Sequence, residues 1–309
     1  MNDGIKEIYP QLQTALKAYN AEITACEEIA RGNQGTVYKL TLNAEPFVMA
    51  LKIIHNKVLA EGEIKGIEFI SERVDIKLPK MYFHNTGGGV CYIAMQYLEG
   101  KNAHGIKPPL FKRKRKKAFA NAVVDNLLKL QTVTNDKFGS IENAVYGNWN
   151  DFYKPFAARM LQFAKEQNAK GNVNGFVYST MEAAYQNYDK IFDEPVGEPV
   201  LTHGDYWLSN ITVNESMELT GVIDPFNVMW ADREFDLLAL IADKGNKYKL
   251  LKTYKQKVRT TQKCDLKIAF YYAFTEIYWY FLTRKTYEHW LTFLAKKLKK
   301  QLKRFRLLG

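Results

Sequence analysis

Cysteine and histidine are scarce in this chain, three and five among 309 residues. The cysteines, Cys26, Cys91 and Cys264, are an odd number and form no C-x-x-C pair. That argues against a disulfide framework and, with the histidines scattered, against a zinc site. Long apolar runs are missing too. The most apolar late stretch, residues 268–283, is short for a bilayer span and carries Glu276 in its middle, so a buried helix is expected there. The first ten residues include acidic side chains among the first seven and no apolar core, so no secretory signal is read and a cytoplasmic location is expected. No motif of a known nucleic-acid reader occurs, so no specific nucleic-acid ligand is expected. What the chain does have is apolar and positive. Hydrophobic residues make up 47%, enough to build the cores of a two-lobed chain, and 44 Lys and Arg against 33 Asp and Glu give a formal charge of +11. That charge favours acidic partners without naming one.

The chemistry concentrates in His203-Gly204-Asp205-Tyr206-Trp207-Leu208-Ser209-Asn210, followed fourteen residues later by Asp224-Pro225. Residues 199–202 read as a strand entering this loop, and residues 211–213 and 219–223 as two short strands around the turn at 214–216. An Asp with an Asn five positions on, and a second Asp delivered by a hairpin, suits phosphoryl transfer. Asp205 can accept the proton of an attacking hydroxyl, while Asn210 and Asp224 offer the hard oxygen ligands that hold Mg²⁺ against nucleotide phosphates. H-G-D-x-x-x-x-N followed by I-D-P resembles the catalytic centre of the small-molecule kinases with a protein-kinase-like fold, the group of aminoglycoside phosphotransferases, choline kinases and fructosamine kinases. Protein kinases themselves carry H-R-D and D-F-G where this chain has His203-Gly204-Asp205 and Asp224-Pro225-Phe226, and no A-P-E follows.

The N-terminal part agrees with that resemblance. Residues 5–16 place Ile5, Ile8, Leu12 and Leu16 at helical spacing and read as a lobe-capping helix. Ala30-Arg31-Gly32-Asn33-Gln34-Gly35-Thr36-Val37 keeps the second and third glycines of G-x-G-x-x-G-x-V. Gly32 and Gly35 would let backbone N–H groups approach phosphate oxygens, and Val37 would cover the adenine face. The strand-like run at 48–54 carries Lys52 alone amid apolar residues, and V-x-A-x-K resembles the strand with the phosphate-binding lysine. Its counter-charge is expected on the helix around residues 59–70, where Glu63 of E-x-x-G-I is the closest match and Glu61 the rival. Residues 81–83 and 90–95 read as paired strands joined through Gly87-Gly88-Gly89, and Gln96 to Gly100 as a hinge that binds adenine through backbone groups near Gln96 and Leu98. The resemblance implies an α+β, protein-kinase-like two-lobed fold, with a β-rich nucleotide-binding lobe at 1–96 and a helical catalytic and substrate lobe at 97–309. It also implies ATP and Mg²⁺ as cofactors and a small-molecule hydroxyl as acceptor.

Residues 101–109 read as a linker containing Gly105, Pro108 and Pro109, and residues 112–117 give six consecutive positive charges at a helix start. Helices are expected over 118–130, 149–167 and 177–192. After the metal-binding Asp, Arg233-Glu234-Phe235-Asp236-Leu237-Leu238 resembles the R-E-x-D-L-A stretch of fructosamine kinases, in which Asp236 would brace the catalytic loop. The chain departs from that family at Trp207-Leu208-Ser209-Asn210, where W-S-G-N is usual, so an aminoglycoside or amino-alcohol acceptor stays open beside a fructosamine. The dense aromatics at 271–281 read as core. The last helix, 290–308, puts Trp290, Leu294, Leu298, Leu302 and Phe305 on one stripe with seven Lys or Arg residues between 296 and 306. Packing on the lobe is favoured there over docking on anionic lipid. An inactive binding module and a membrane-surface glycolipid kinase are the alternatives of other classes.

Overall fold

The computed structural model describes residues 3–32, 34–87, 89–106, 113–242 and 244–308. Asn33, Gly88, Pro108, Pro109 and Lys112, named above in the glycine turns, the linker and the basic run, lie outside the described residues. Two compact units form, each from two chain segments. One runs to Leu130 and adds His203–Val228; the other holds Gln131–Thr202 and Met229–Gly309.

The first unit is built on a five-stranded antiparallel sheet of β1 (Ile23–Arg31), β2 (Gly35–Leu42), β3 (Val48–Ile54), β4 (Met81–Asn85) and β5 (Cys91–Gln96), in the order β1-β2-β3-β5-β4. Strand alternation sorts its faces. Tyr38, Leu40 and Leu42, with Met49, Leu51, Ile53, Tyr92 and Ala94, form one apolar core with Ile5, Ile8, Leu12 and Leu16 of the N-terminal helical segment. Val37 and Lys52 are cross-strand partners and therefore share the opposite face. The expected single N-terminal helix is two, Asp3–Lys6 and α1 (Tyr9–Leu16). Pro10 is the reason, since its ring would meet the carbonyl of Lys6 in a continuous helix, while at the start of α1 it lacks only a donor that has no helical partner. Helices α2 (Lys57–Ser71) and α3 (Arg113–Leu130) complete the N-terminal half.

The lobes expected at 1–96 and 97–309 follow chain position, whereas packing joins the catalytic segment to the N-terminal half. The contacts that join them are specific. Part of the expected linker is a short strand, β6 (Lys101–Asn102), paired with β7 (Ile211–Val213), which itself pairs with β8 (Leu219–Val222). Lys77 Nζ donates to the Leu219 carbonyl at 2.6 Å and the Lys77 carbonyl accepts from Val222 N at 2.8 Å. Tyr206, buried against α3, donates to the Val123 carbonyl at 2.9 Å and accepts from Asn126 at 3.1 Å.

The second unit carries a four-stranded sheet in the order Ala144–Tyr146, Phe138–Ser140, Met229–Ala231, Val200–Leu201. Its longer helices are α4 (Trp149–Ala169), α5 (Gly175–Gln186), α6 (Cys264–Thr283) and α7 (Glu288–Arg304). The helix expected over 177–192 is interrupted at Asn187, whose backbone leaves the helical region. As expected, α6 is buried over most of its length, and its aromatic rings join an extended cluster. Near its C-terminal end Tyr278 and Trp279 are only half-buried, and Phe281, expected in the core, is exposed. Tyr153 stacks on Trp149 at 5.1 Å and meets Tyr271 edge-on at 5.0 Å. A buried polar chain threads that cluster. Trp149 Nε1 donates to Tyr271 Oη at 2.8 Å, and Tyr271 donates to Asp232 Oδ2 at 2.6 Å. Lys267 pairs with Asp232 at 2.6 Å and Glu234 at 2.9 Å, and Glu234 also accepts from the Thr261 amide and hydroxyl. Paired this way, Lys267 can sit almost fully buried, where an unpartnered ammonium could not. The inner stripe of α7 is Leu291, Leu294, Ala295, Leu298 and Leu302. Trp290 and Phe305, expected on that stripe, are only half-buried, because the buried arc is centred nearer Leu298. No helix among the described residues is long and apolar enough to cross a membrane.

Candidate active site

Helix α2 begins where Asn56 Oδ1 accepts from the amides of Val58 and Leu59, which fixes its start. Its apolar residues Leu59, Ile64, Ile67 and Ile70 then turn inward and carry Glu63 with them. Glu63 Oε2 meets Lys52 Nζ at 2.7 Å, and Asp224 Oδ1 meets the same ammonium at 2.8 Å. The rival Glu61 lies on the outer side, 3.6 Å from Lys57. Burial would lower the Lys52 pKa, but Asp224 and Glu63 outweigh it and hold the ammonium above the ordinary lysine value. Burial also raises the Glu63 carboxyl to about 7, with Asp224 adding to the rise and Lys52 opposing it. Glu63 Oε1 is buried and has no hydrogen-bond partner among the described residues.

The H-G-D turn requires its glycine. Gly204 has φ +76°, and a Cβ there would stand 2.1 Å from the Phe226 carbonyl oxygen. His203 is fully buried, and its Nδ1 accepts from the Asp205 amide at 3.3 Å. Burial pushes its pKa down to about 4, so the ring is neutral near pH 7. Asn210 Nδ2 donates to Asp205 Oδ2 at 2.7 Å and to the Asp205 carbonyl at 2.9 Å, which fixes the carboxylate and leaves Asn210 Oδ1 as the side chain's acceptor. Burial and the charge of Asp224 raise the Asp205 carboxyl to about 8 against hydrogen bonds from the Asn210 and Trp207 side chains and the charge of Lys52. At the open end of the β7–β8 hairpin, the Ile223 amide donates to the Asn210 carbonyl at 2.9 Å, which brings Asn210 and Asp224 alongside each other.

Asp224 itself sits at φ +58°, in the left-handed region that Asp tolerates better than most residues. The turn holding it is seated on α2. A Cβ on Gly66 would stand 2.5 Å from the Pro225 carbonyl oxygen, and one on Gly62 would stand 2.9 Å from the Phe226 ring. Two glycines one helical turn apart thus form a notch for Pro225-Phe226, on the same helix that presents Glu63. In the sequence Gly66 stands only as part of E-x-x-G-I, and neither it nor Gly62 signals a notch. Only the close approach of Pro225 and Phe226, more than 150 positions away, reveals it.

The remaining candidates line the sheet. Gly32 N donates to the Gly35 carbonyl at 2.9 Å across the β1–β2 turn, and a Cβ on Gly35 would stand 2.0 Å from the Ile53 carbonyl oxygen, so β2 can approach β3 there only as glycine. Val37 lies opposite Lys52. Gln96 ends β5, where its amide donates to the Lys80 carbonyl at 2.8 Å and its side chain is exposed. Leu98 lies over Gly221 of β8, with Cδ1 2.2 Å from where a Cβ would be. Asp236, assigned a bracing role, is buried at the start of the helix Leu237–Ile241 in the other unit.

Solved structures share this architecture. A protein from Haemophilus somnus 129PT assigned as a fructosamine-3-kinase has a TM-score of 0.74 at 14% identity, covering 97% of this chain and 100% of that one. An ADP-bound aminoglycoside phosphotransferase has a TM-score of 0.63 at 19% identity, covering 97% and 98%. These likenesses place the chain in the class of proteins with a protein-kinase-like fold. Within that class the chain belongs to the fructosamine kinase family, whose model matches residues 5–302. The chloroplastic protein-ribulosamine 3-kinase of Arabidopsis thaliana is 25% identical over 177 residues, 53% of this chain and 49% of that protein. The chain therefore matches about half the length of this curated relative.

Proposed function

We propose that this protein transfers the γ-phosphoryl group of ATP to a hydroxyl of a sugar-amine adduct of the fructosamine or ribulosamine type. The observation that carries the reading is the contact of Lys52 with both Glu63 and Asp224, beside an Asp205 held by Asn210. Family membership supports the acceptor class. Lys52, braced by Glu63, presents its ammonium to the nucleotide phosphates. Gly32, Gly35 and Val37 cover the nucleotide from the sheet, and the hinge at Gln96 and Leu98 holds adenine through its backbone. Residues 1–96 thus serve the nucleotide, and 97–309 supply catalysis and acceptor recognition. Asp205 accepts the acceptor hydroxyl's proton, and its fixed carboxylate orients that hydroxyl.

The donor set fits Mg²⁺. Among the described residues no group of three or more His, Cys, Asp or Glu side chains could cage a metal by itself. Asn210 Oδ1 and the Asp224 carboxylate make a two-ligand oxygen site of the kind Mg²⁺ uses when phosphates and waters complete its shell. Held there by Asn210 and Asp224, the ion would supply positive charge that offsets the charge Asp224 imposes on Asp205.

The test is ADP release over a panel of ketosamines, aminoglycosides and amino-alcohols. Turnover of a ketosamine is expected, and turnover confined to an aminoglycoside would overturn the acceptor assignment while leaving the kinase reading intact. Asp224→Ala should abolish Mg-ATP turnover and weaken Mg²⁺-dependent nucleotide binding more than Asp205→Ala does. Calorimetry with and without Mg²⁺ measures this, and equal metal-dependent affinity in wild type and Asp224→Ala would remove Asp224 from the metal site.

A further inference from the structure

Helix α7 is amphipathic twice over. Its inner stripe is already used in the core of the second unit. On the opposite side, Trp290, Phe293, Lys296, Lys300 and Lys303 follow one another at three- and four-residue spacing on one arc, exposed except for the half-buried Trp290, and the half-buried Lys297 lies at its edge. Lys296, Lys300 and Lys303 are exposed, and among the described residues no acidic side chain pairs with them. The chain has no acidic residue after Glu288. Exposed apolar rings precede the cations in the chain, and Phe293 lies against Lys297. Of the eight large hydrophobic side chains that are exposed among the described residues, three, Phe281, Tyr287 and Phe293, fall between positions 281 and 293.

We propose that this outer face of α7 docks on the anionic surface of a phospholipid bilayer. Complementarity of charge supplies the long-range attraction, because Lys296 to Lys303 lie within about 10 Å along the helix, roughly one Debye length. The aromatic end supplies the short-range part, since exposed rings beside cations bury their apolar edges at the headgroup boundary. The geometry disfavours the other polyanion, a nucleic acid. Phe293 is stacked on Trp290 at 5.2 Å and 21°, and Lys297 Nζ stands 4.4 Å from its centroid. With Trp290 and Lys297 both against its ring, Phe293 offers little face for stacking a base, while the residue remains 41% exposed.

The test floats the full-length protein with vesicles at low salt. Vesicles containing phosphatidylglycerol should carry it and vesicles of phosphatidylcholine alone should not. K296Q/K300Q/K303Q should lower the partition coefficient on the order of a hundredfold, from the typical contribution of each surface lysine. Phe293→Ser should weaken binding at unchanged net charge. K114Q/K116Q/K117Q, which removes three lysines from the other basic run, should bind like wild type. Melting followed by circular dichroism checks that each variant is folded. Failure of the wild type to float with phosphatidylglycerol would overturn the proposal, as would equal losses in the two triple variants, which would make binding a matter of net charge. Retention of an oligonucleotide without vesicle binding would reassign the surface.

Discussion

His203, fully buried, has its pKa pushed by burial from 6.5 to about 4, which ties stability to pH in a definite direction. Between those values the unfolded chain binds a proton at this position and the folded protein does not, so stability falls as pH drops from about 6.5 to about 4. The full effect is about 3 kcal/mol. Asp205, raised to about 8, acts oppositely, losing stability as pH rises from its ordinary value toward 8. The comparison with His203→Gln isolates the histidine, and urea midpoints of the variant should vary less with pH across the acid window than those of wild type. Tyr153 makes a second residue-level case. Its hydroxyl is buried among aromatic rings and has no hydrogen-bond partner among the described residues, and such a group costs about 1–3 kcal/mol. Tyr153→Phe should leave the Tm unchanged or raise it, and a clear fall would reveal a hydrogen bond to this hydroxyl. At this scale spacing marked Asp205, Asn210 and Asp224 and the resemblance marked Lys52 as candidates, and the fold sets Asp224 2.8 Å from Lys52 and Asn210 2.7 Å from Asp205. The resemblance favours Glu63 over Glu61, and the packing of Leu59, Ile67 and Ile70 supplies the physical reason, since it turns Glu63 to the inner face of the helix and toward Lys52. Lys267 was not legible, since its partners Asp232 and Glu234 lie more than 30 positions away.

Helix α2 and the Asp224 turn act as one element through the glycine notch. Gly66→Ala would force its methyl against the Pro225 backbone, which cannot rotate aside, so the turn must shift relative to Lys52. We expect kcat to fall tenfold or more with destabilisation of about 1–3 kcal/mol. Gly62→Ala should cost less, because its neighbour is the Phe226 ring. Steady-state kinetics and melting on the two variants check the order, and equal kcat in Gly66→Ala and wild type would uncouple helix from turn. Long periodic elements were legible, with α2, α4 and α6 read close to their observed spans. The strands at 138–140, 144–146 and 229–231 were not, because three residues are too few to show a period of two and their pairing is set by distant partners. For the same reason β6 was taken into a linker.

At the scale of the whole molecule, the inner face of α7 bears on the integrity of the second unit. Removing residues 288–309 would strip Leu291, Leu294, Leu298 and Leu302 from its core, at roughly 1.5–3 kcal/mol each. That approaches the whole stability of an ordinary domain, so loss of folded protein is expected in soluble expression and circular dichroism. A truncated protein that stayed folded would show α7 to be an appendage. The interleaving of the two units bears on translation. The five-stranded sheet with Lys52 and Glu63 has left the ribosome by residue 96, but β6 must wait for β7, some 110 positions later. At roughly 5–20 residues per second that delay lasts about 5–20 s, during which residues 131–202 emerge and belong to the other unit. The nascent protein therefore holds a lysine–glutamate pair long before Asp205, Asn210 or Asp224 exists to complete the site. The candidate site is assembled only late in synthesis, when the second segment of the first unit pairs with β6 and seats its turn on α2.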